Sequence, residues 1–231
     1  MSLRDEQRQA LESISSATVT TVLLKMGIRK VWMRGTRPLR VGMPRVVGPA
    51  FTMRFVPARE DLATPQAWSS PTSTRAAVEA MPAGAIAVVD AMGIADAGIF
   101  GDILCERMVQ RGVAGLVTDG GMRDVDGVLA TGLPVWCQGA AAPPAVSALS
   151  FIDWQQPIGC GGVAVFPGDI VVADSDGAVL IPVALLDAVI AAAHEQEALD
   201  AWVLAQVAQG AALPGLYPPN DENLARYRAG R

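Results

Sequence analysis

Two short apolar runs, in Ala85-Ile-Ala-Val-Val-Asp90 and Val113-Ala-Gly-Leu-Val-Thr118, constrain this chain more than any other feature. Each has strand length and each is apolar on both faces. Such a strand is stable only with protein packed above and below it, which is the habit of parallel sheets flanked by helices. Helical periodicity follows each run, at Ile103–Gln110 and Arg123–Ala130, and Pro134-Val-Trp136 reads as a third strand. The middle of the chain is therefore expected to be α/β, built on a largely parallel sheet.

The flanks agree with this in part. Residues 3–27 read as helical, broken where Ser15, Ser16 and Thr18 can cap a second helix. A strand is expected at Val46–Val56, where Phe51, Met53 and Phe55 alternate with Thr52 and Arg54. Residues 57–73 read as a loop and Arg75–Ala80 as a short helix. Further on, Val163–Phe166, Ile170–Ala173 and Ala178–Ile181 are short strands. Hairpin-type turns at Pro167-Gly168-Asp169 and Asp174-Ser-Asp-Gly177 separate them. Helix Val183–Val207 and a Pro- and charge-rich arm, residues 214–231, complete the chain. With 231 residues and no internal repeat or linker, residues 1–231 form one domain with its core at about 10–205.

Composition excludes several classes. Hydrophobic residues are 51% and charged residues 18%, a globular balance. A net charge of −5 lacks the basic footprint that phosphate contacts demand, so no nucleic-acid partner is expected. No apolar run approaches a membrane span, and the polar first residues lack a signal-peptide core. The three cysteines, Cys105, Cys137 and Cys160, are scattered and odd in number, which suits a reducing cytoplasm. A single histidine, His194, rules against a histidine-based metal site or catalytic dyad.

Chemistry concentrates in Gly101-Asp102-Ile103-Leu104 and Thr118-Asp119-Gly120-Gly121-Met122-Arg123-Asp124. In both, a glycine-rich turn sets an acidic side chain beside a helix start. The free N–H groups of a helix start can hold a carboxylate. Arg123 can bind the same anion bidentately. Asp124 is a hard oxygen donor suited to Mg²⁺ or Mn²⁺ with water completing the shell. A metal beside a guanidinium matches the carboxylate and carbonyl of a 2-oxo acid and stabilises an enolate. The same residues also fit a common turn, an N-cap and a surface ion pair. Asp90 and Asp96 either line the same cleft or serve turns. Cys105 has no base beside it and is not expected to be a nucleophile. Gly159-Cys-Gly-Gly162 lacks the ending of a phosphate loop and reads as a turn.

The segment 101–124 resembles the signature of the RraA-like family, in which an Asp is followed, after twenty residues, by Arg-Asp. Asp102 and Arg123-Asp124 have that spacing. Ser15-Ser-Ala-Thr18, Arg45-Val-Val-Gly-Pro-Ala-Phe-Thr52 and Pro167-Gly-Asp-Ile-Val-Val-Ala-Asp174 also look like the family. The family includes class II pyruvate aldolases acting on 4-hydroxy-4-methyl-2-oxoglutarate and 4-carboxy-4-hydroxy-2-oxoadipate. The resemblance implies a compact layered β/β/α domain, similar to the swivelling phosphohistidine domain, in a homotrimer or homohexamer. It implies that Arg123 binds the pyruvyl carboxylate and carbonyl, with backbone N–H groups of Gly101, Ile103 and Leu104. Asp124 ligates the metal, and Asp102 orients or deprotonates a water that takes the substrate hydroxyl proton. The implied reaction is retro-aldol cleavage to pyruvate, with oxaloacetate decarboxylation as related work. RraA itself, an inhibitor of RNase E, implies an alternative as a protein-binding regulator. A lyase or dehydratase for a sugar-derived acid is a third. The chain departs from the compact aldolases near residues 29–45, 57–73 and the C-terminal arm. It also has Gly127 beside Asp126 where an acidic residue is usual.

Overall fold

The structure, a computed structural model, describes residues 3–230. One nine-stranded mixed sheet dominates it. Parallel pairing joins Val46–Pro57 to Ile86–Asp90, then Gly115–Thr118, then Val135–Cys137. Antiparallel pairing adds Arg37–Pro38 beyond Val135–Cys137. On its other edge the long strand Val46–Pro57 pairs antiparallel twice, with Ile170–Asp174 along its first half and with Leu149–Trp154 along its second. Gly177–Ile181 and Trp32–Met33 follow outward from Ile170–Asp174. The expectation of a largely parallel sheet therefore holds only for the central strands. The rest is antiparallel because short hairpin connections, not helical crossovers, join the last third of the chain.

Side-chain alternation separates the layers. Ala87 and Val89 face one apolar cluster with Val78, Cys105, Met108 and Val128, under the helices Thr74–Ala80, Asp102–Gln110 and Val125–Thr131. Ile86 and Val88 face the opposite cluster, where Val171, Ala173, Ala178 and Leu180 meet them from the antiparallel strands. Ile170, Val172, Val179 and Ile181 point outward again, against helices Asp5–Glu12, Ser16–Lys25 and Leu186–Ala208. The β/β/α core thus carries a further helical layer on its outer sheet face. Strands buried on both faces need such cover, which explains their unbroken apolar runs.

Several local expectations change. Pro167-Gly168-Asp169 turns the chain but closes no hairpin. Val163–Val165 pairs with Ile158–Cys160 instead, through the two-residue turn Gly161-Gly162. Both glycines have positive φ, +56° and +80°, as a type I′ turn demands. The Asp174–Gly177 hairpin is present. The arm forms helix Asp221–Ala229, capped by Asn220, and folds back on its own chain, with Tyr227 and Arg226 against Trp202.

The three family-like segments outside 101–124 meet in one polar knot. Ser16 N–H and hydroxyl donate to Asp174 at 2.9 and 2.7 Å, and Arg45 reaches the same carboxylate at 3.4 Å. Trp136, fully buried, donates its indole N–H to the Asp174 carbonyl at 2.7 Å. Burial alone would raise the Asp174 carboxyl. The bonds from Ser16 and Asp176 and the Arg45 charge outweigh it and hold the group below its ordinary value of 3.8. A depressed folded-state pKa adds stability above the unfolded value and loses it as pH falls through the folded one. Asp174→Asn is therefore expected to cost about 2 kcal/mol near neutral pH. The deficit should shrink as pH drops below 3.8. Denaturant titrations of both proteins near neutrality and near pH 3 check this.

Candidate active site

Strands Ile86–Asp90 and Gly115–Thr118 are parallel neighbours, so the loops leaving their C-terminal ends lie side by side. One loop enters helix Asp102–Gln110 and the other enters helix Val125–Thr131. Right-handed crossovers put both helix starts above the same sheet edge, the usual place for a ligand in an α/β fold. Backbone bonds lock the two loops together. Ile99 N–H donates to Gly121 at 2.9 Å and Arg123 N–H to Phe100 at 3.1 Å. Gly121–Met122 pairs with Gly139–Ala140, and Gly98 bridges Gly121 and Pro144.

All six residues singled out from the sequence, Gly101, Asp102, Ile103, Leu104, Arg123 and Asp124, line one cleft of about 600 Å³. Gly101 is the N-cap of its helix, and Asp102 begins it. Cys105 N–H makes the first bond back to Gly101, so the N–H groups before it face out of the helix end. Ile103 N–H donates to Asp102 Oδ1 at 2.7 Å. A carboxylate at the first helical position captures the nearest orphan donor.

Arg123 and Asp124 precede their helix instead of opening it, since the helix runs Val125–Thr131. Asp124 has φ +52° and ψ +43°, the left-handed region. A residue with a Cβ pays about 1 kcal/mol to stand there. Its carboxylate accepts from Arg123 Nε at 3.1 Å through Oδ2, and Oδ1 makes no bond to the described protein. Both side chains are partly exposed to the cleft.

Glycines make this approach possible. A Cβ on Gly101 would collide with Asp124 Oδ2, and a Cβ on Gly98 would lie 2.6 Å from Arg123 Cβ. A Cβ on Gly127 would lie 2.8 Å from Asp102 Cβ. The absence of an acidic residue at 127 thus has a steric cause: helices Asp102–Gln110 and Val125–Thr131 touch there.

The other residues weighed fall outside the chemistry. Burial, with the Asp102 charge adding, pushes the Cys105 thiol up to about 12, so it is no nucleophile. Asp90 serves turns, accepting from Met92 at 3.0 Å and Gly159 at 3.2 Å. Asp96 does not line the cleft. His194 is exposed on helix Leu186–Ala208. Among the described residues no three His, Cys, Asp or Glu side chains cluster as a metal cage, and no helix is long and apolar enough to cross a membrane.

Sequence reading marked residues 57–73 as a place where substrate-distal groups could change, but assigned no residue to the remaining wall. Phe55, Trp68, Arg75 and Phe151 line it, on the end of the long strand, the 57–73 loop, helix Thr74–Ala80 and strand Leu149–Trp154. The available signal was the Leu149–Phe151 alternation, broken at once by Ile152.

The family described as RraA-like, Aldolase/RraA, matches residues 13–180. DlpA of Legionella pneumophila subsp. pneumophila is 30% identical over 174 residues, 75% of this chain but only 27% of DlpA. A Halalkalibacterium halodurans protein, provisionally named a 4-hydroxy-4-methyl-2-oxoglutarate aldolase, is 34% identical over 68% of this chain and 69% of its own. The chain spans 62% of a similarly named Ectopseudomonas mendocina protein. Among solved structures, Streptomyces coelicolor RraAS2 superposes with a TM-score of 0.78 at 35% identity, over 87% of this chain and 97% of that one. It is described as an unusual member of the RNase ES inhibitor RraA protein family. A Pseudomonas syringae pv. tomato protein, at 24% identity and TM-score 0.80 over 94% and 99%, shares the fold. With the family match covering most of its length and the fold shared with RraAS2, the chain belongs to the RraA-like family.

Proposed function

We propose that the protein is a divalent-metal-dependent carbon–carbon lyase that cleaves a 4-hydroxy-2-oxo acid to pyruvate. The observation that carries this reading is the meeting of Arg123, Asp124, Asp102 and a helix N-terminus in one cleft. The Halalkalibacterium relative's name supports the substrate class.

The donor set suits Mg²⁺ or Mn²⁺. Asp124 offers Oδ1, and no histidine or cysteine cage surrounds it among the described residues. A hard dication that keeps most of its water accepts one carboxylate, whereas zinc sites take three or four protein ligands, most often His or Cys. When bound, the ion supplies Lewis-acid stabilisation to the charge growing on the 2-oxo oxygen.

The chain's own groups do the rest. Arg123 and the outward N–H of Leu104 hold the substrate carboxylate, fixing C2 and C3. Asp102 spends Oδ1 on Ile103 N–H, its Oδ2 lies beside Gly127, and its carboxylate would hold a water at the rim of the cleft. That water takes the proton of the C4 hydroxyl. The C3–C4 bond breaks, its electrons pass to C3 and the 2-oxo group as an enolate, and C4 becomes a carbonyl. Protonation at C3 yields pyruvate. Loss of CO₂ from oxaloacetate uses the same enolate.

A lactate-dehydrogenase-coupled assay with 4-hydroxy-4-methyl-2-oxoglutarate and oxaloacetate tests the proposal. Pyruvate should appear with Mg²⁺ or Mn²⁺ and fall at least about 100-fold in EDTA. Activity that survives EDTA would remove the metal from the mechanism.

The likeness to RraAS2 favours a second reading, a protein-binding regulator of ribonuclease activity. No release from any 2-oxo acid, with Asp124→Ala indistinguishable from the native chain, would decide for it.

A further inference from the structure

The cleft is much larger than a pyruvyl group needs. Arg123, Asp124 and the Gly101–Leu104 turn build one part, and the remaining wall includes Phe55, Leu62, Trp68, Arg75, Phe151 and Ile152. Leu62, Trp68 and Ile152 are 45%, 44% and 40% exposed. Scattered apolar side chains on a surface need no cause, but several gathered round one cleft mark a place where something is covered.

Charge in this cleft is uneven. Its charged lining residues are Arg75, Asp102, Arg123 and Asp124. Arg123 leans on Asp124 at 3.1 Å, and Asp102 holds Ile103 N–H at 2.7 Å. Arg75 has no carboxylate partner among the described residues. Its guanidinium lies 5.3 Å from the Trp68 ring centroid. Its N–H donors make no hydrogen bond or ion pair among the described residues, so they are unspent. Trp68 thereby fixes where a flexible cation can stand, so less freedom is lost when an anion arrives.

We infer that Arg75, positioned by Trp68, reads a second carboxylate on the far half of the substrate, the half that leaves as the carbonyl product. Arg75 is then a specificity residue remote from the reacting atoms, and Trp68 is a positioning residue. The assignment of the far half rests on the lyase reading, because that reading decides which end reacts. A substrate without the second carboxylate would fill the apolar wall but leave Arg75 unanswered.

Calorimetry on the full chain with Mg²⁺ tests this independently of turnover. The probes are 2-oxoglutarate and 2-oxopentanoate, equal in carbon number and differing in the terminal carboxylate. The native protein should prefer 2-oxoglutarate about tenfold, a modest ratio because Arg75 is solvent-exposed. Arg75→Met should erase the preference while 2-oxopentanoate affinity stays within about twofold. Arg75→Lys should keep part of it, and Trp68→Phe more than Trp68→Ala. Equal affinity for both acids in the native protein would overturn the inference, as would an unchanged preference in Arg75→Met. If the preference follows Arg75 but no 2-oxo acid releases pyruvate, the subsite stands and the lyase reading fails. If neither acid binds, both fall.

Discussion

Arg123→Ala is expected to lower pyruvate release about 10³-fold or more while the protein stays folded. Both halves of this expectation come from the same geometry. Arg123 presents a planar pair of donors beside the helix start at Gly101, where a substrate carboxylate and 2-oxo oxygen would lie. Donors aimed at growing charge act most in the transition state, so kcat should fall more than KM rises. Folding depends little on the side chain. It is 37% exposed, and its one ion pair, to Asp124 at 3.1 Å, is also partly exposed. Such a pair contributes less than about 1 kcal/mol. Arg123→Lys should recover little, because an ammonium cannot reproduce two parallel donors. Thermal melts and coupled assays on the two variants make the comparison. Near-normal turnover in Arg123→Ala would take the residue out of the site.

The spacing of that pair was legible because it is architectural. Between Asp102 and Arg123 the chain must complete a nine-residue helix and a four-residue strand, then return to the same sheet edge. Twenty residues suffice for one crossover, and chirality fixes which edge they reach. The apolar runs at Ala85–Val89 and Val113–Val117 announced their burial for the same reason: both faces of each strand are covered. Pairing in the last third was less legible. Pro167-Gly168-Asp169 is a strong local turn signal, yet Ile170–Asp174 pairs with Val46–Pro57, more than a hundred residues earlier. Local turn chemistry cannot report a partner so distant. The outer cleft wall failed similarly, since Leu149–Trp154 owes its strand conformation to Met53–Pro57 and not to its own weak alternation. The left-handed backbone of Asp124 and the capture of Ile103 N–H by Asp102 have no signature in residue order. The first arises where the two loops are clamped together, the second from the rotamer that Asp102 takes at its helix start.

That clamp yields the second large effect, at Gly101. Its φ is −122°, a conformation open to any residue, and alanine in place of glycine at an N-cap costs no more than about 1 kcal/mol. The obstacle lies across the cleft. The new methyl would strike the Asp124 Oδ2 carboxylate tip, with the Arg123 and Asp124 Cγ atoms next nearest at 3.4 Å. A side-chain tip can swing away, so the fold survives and the carboxylate moves. Gly101→Ala should therefore melt close to the native protein yet lose about 10²-fold or more in kcat/KM, the penalty for misplacing a catalytic group by about an ångström. Raising the Mg²⁺ concentration should restore part of the rate if the loss lies in metal affinity. Gly98→Ala is the control with the opposite signature. There the methyl would meet Arg123 N at 2.7 Å and the Ala141 carbonyl oxygen at 2.8 Å, backbone atoms held in the paired loops. It should lower the melting temperature along with the activity. Equal turnover by Gly101→Ala and the native chain would mean that the Asp124 carboxylate does not work from the position beside Gly101, and the metal assignment would have to move with it.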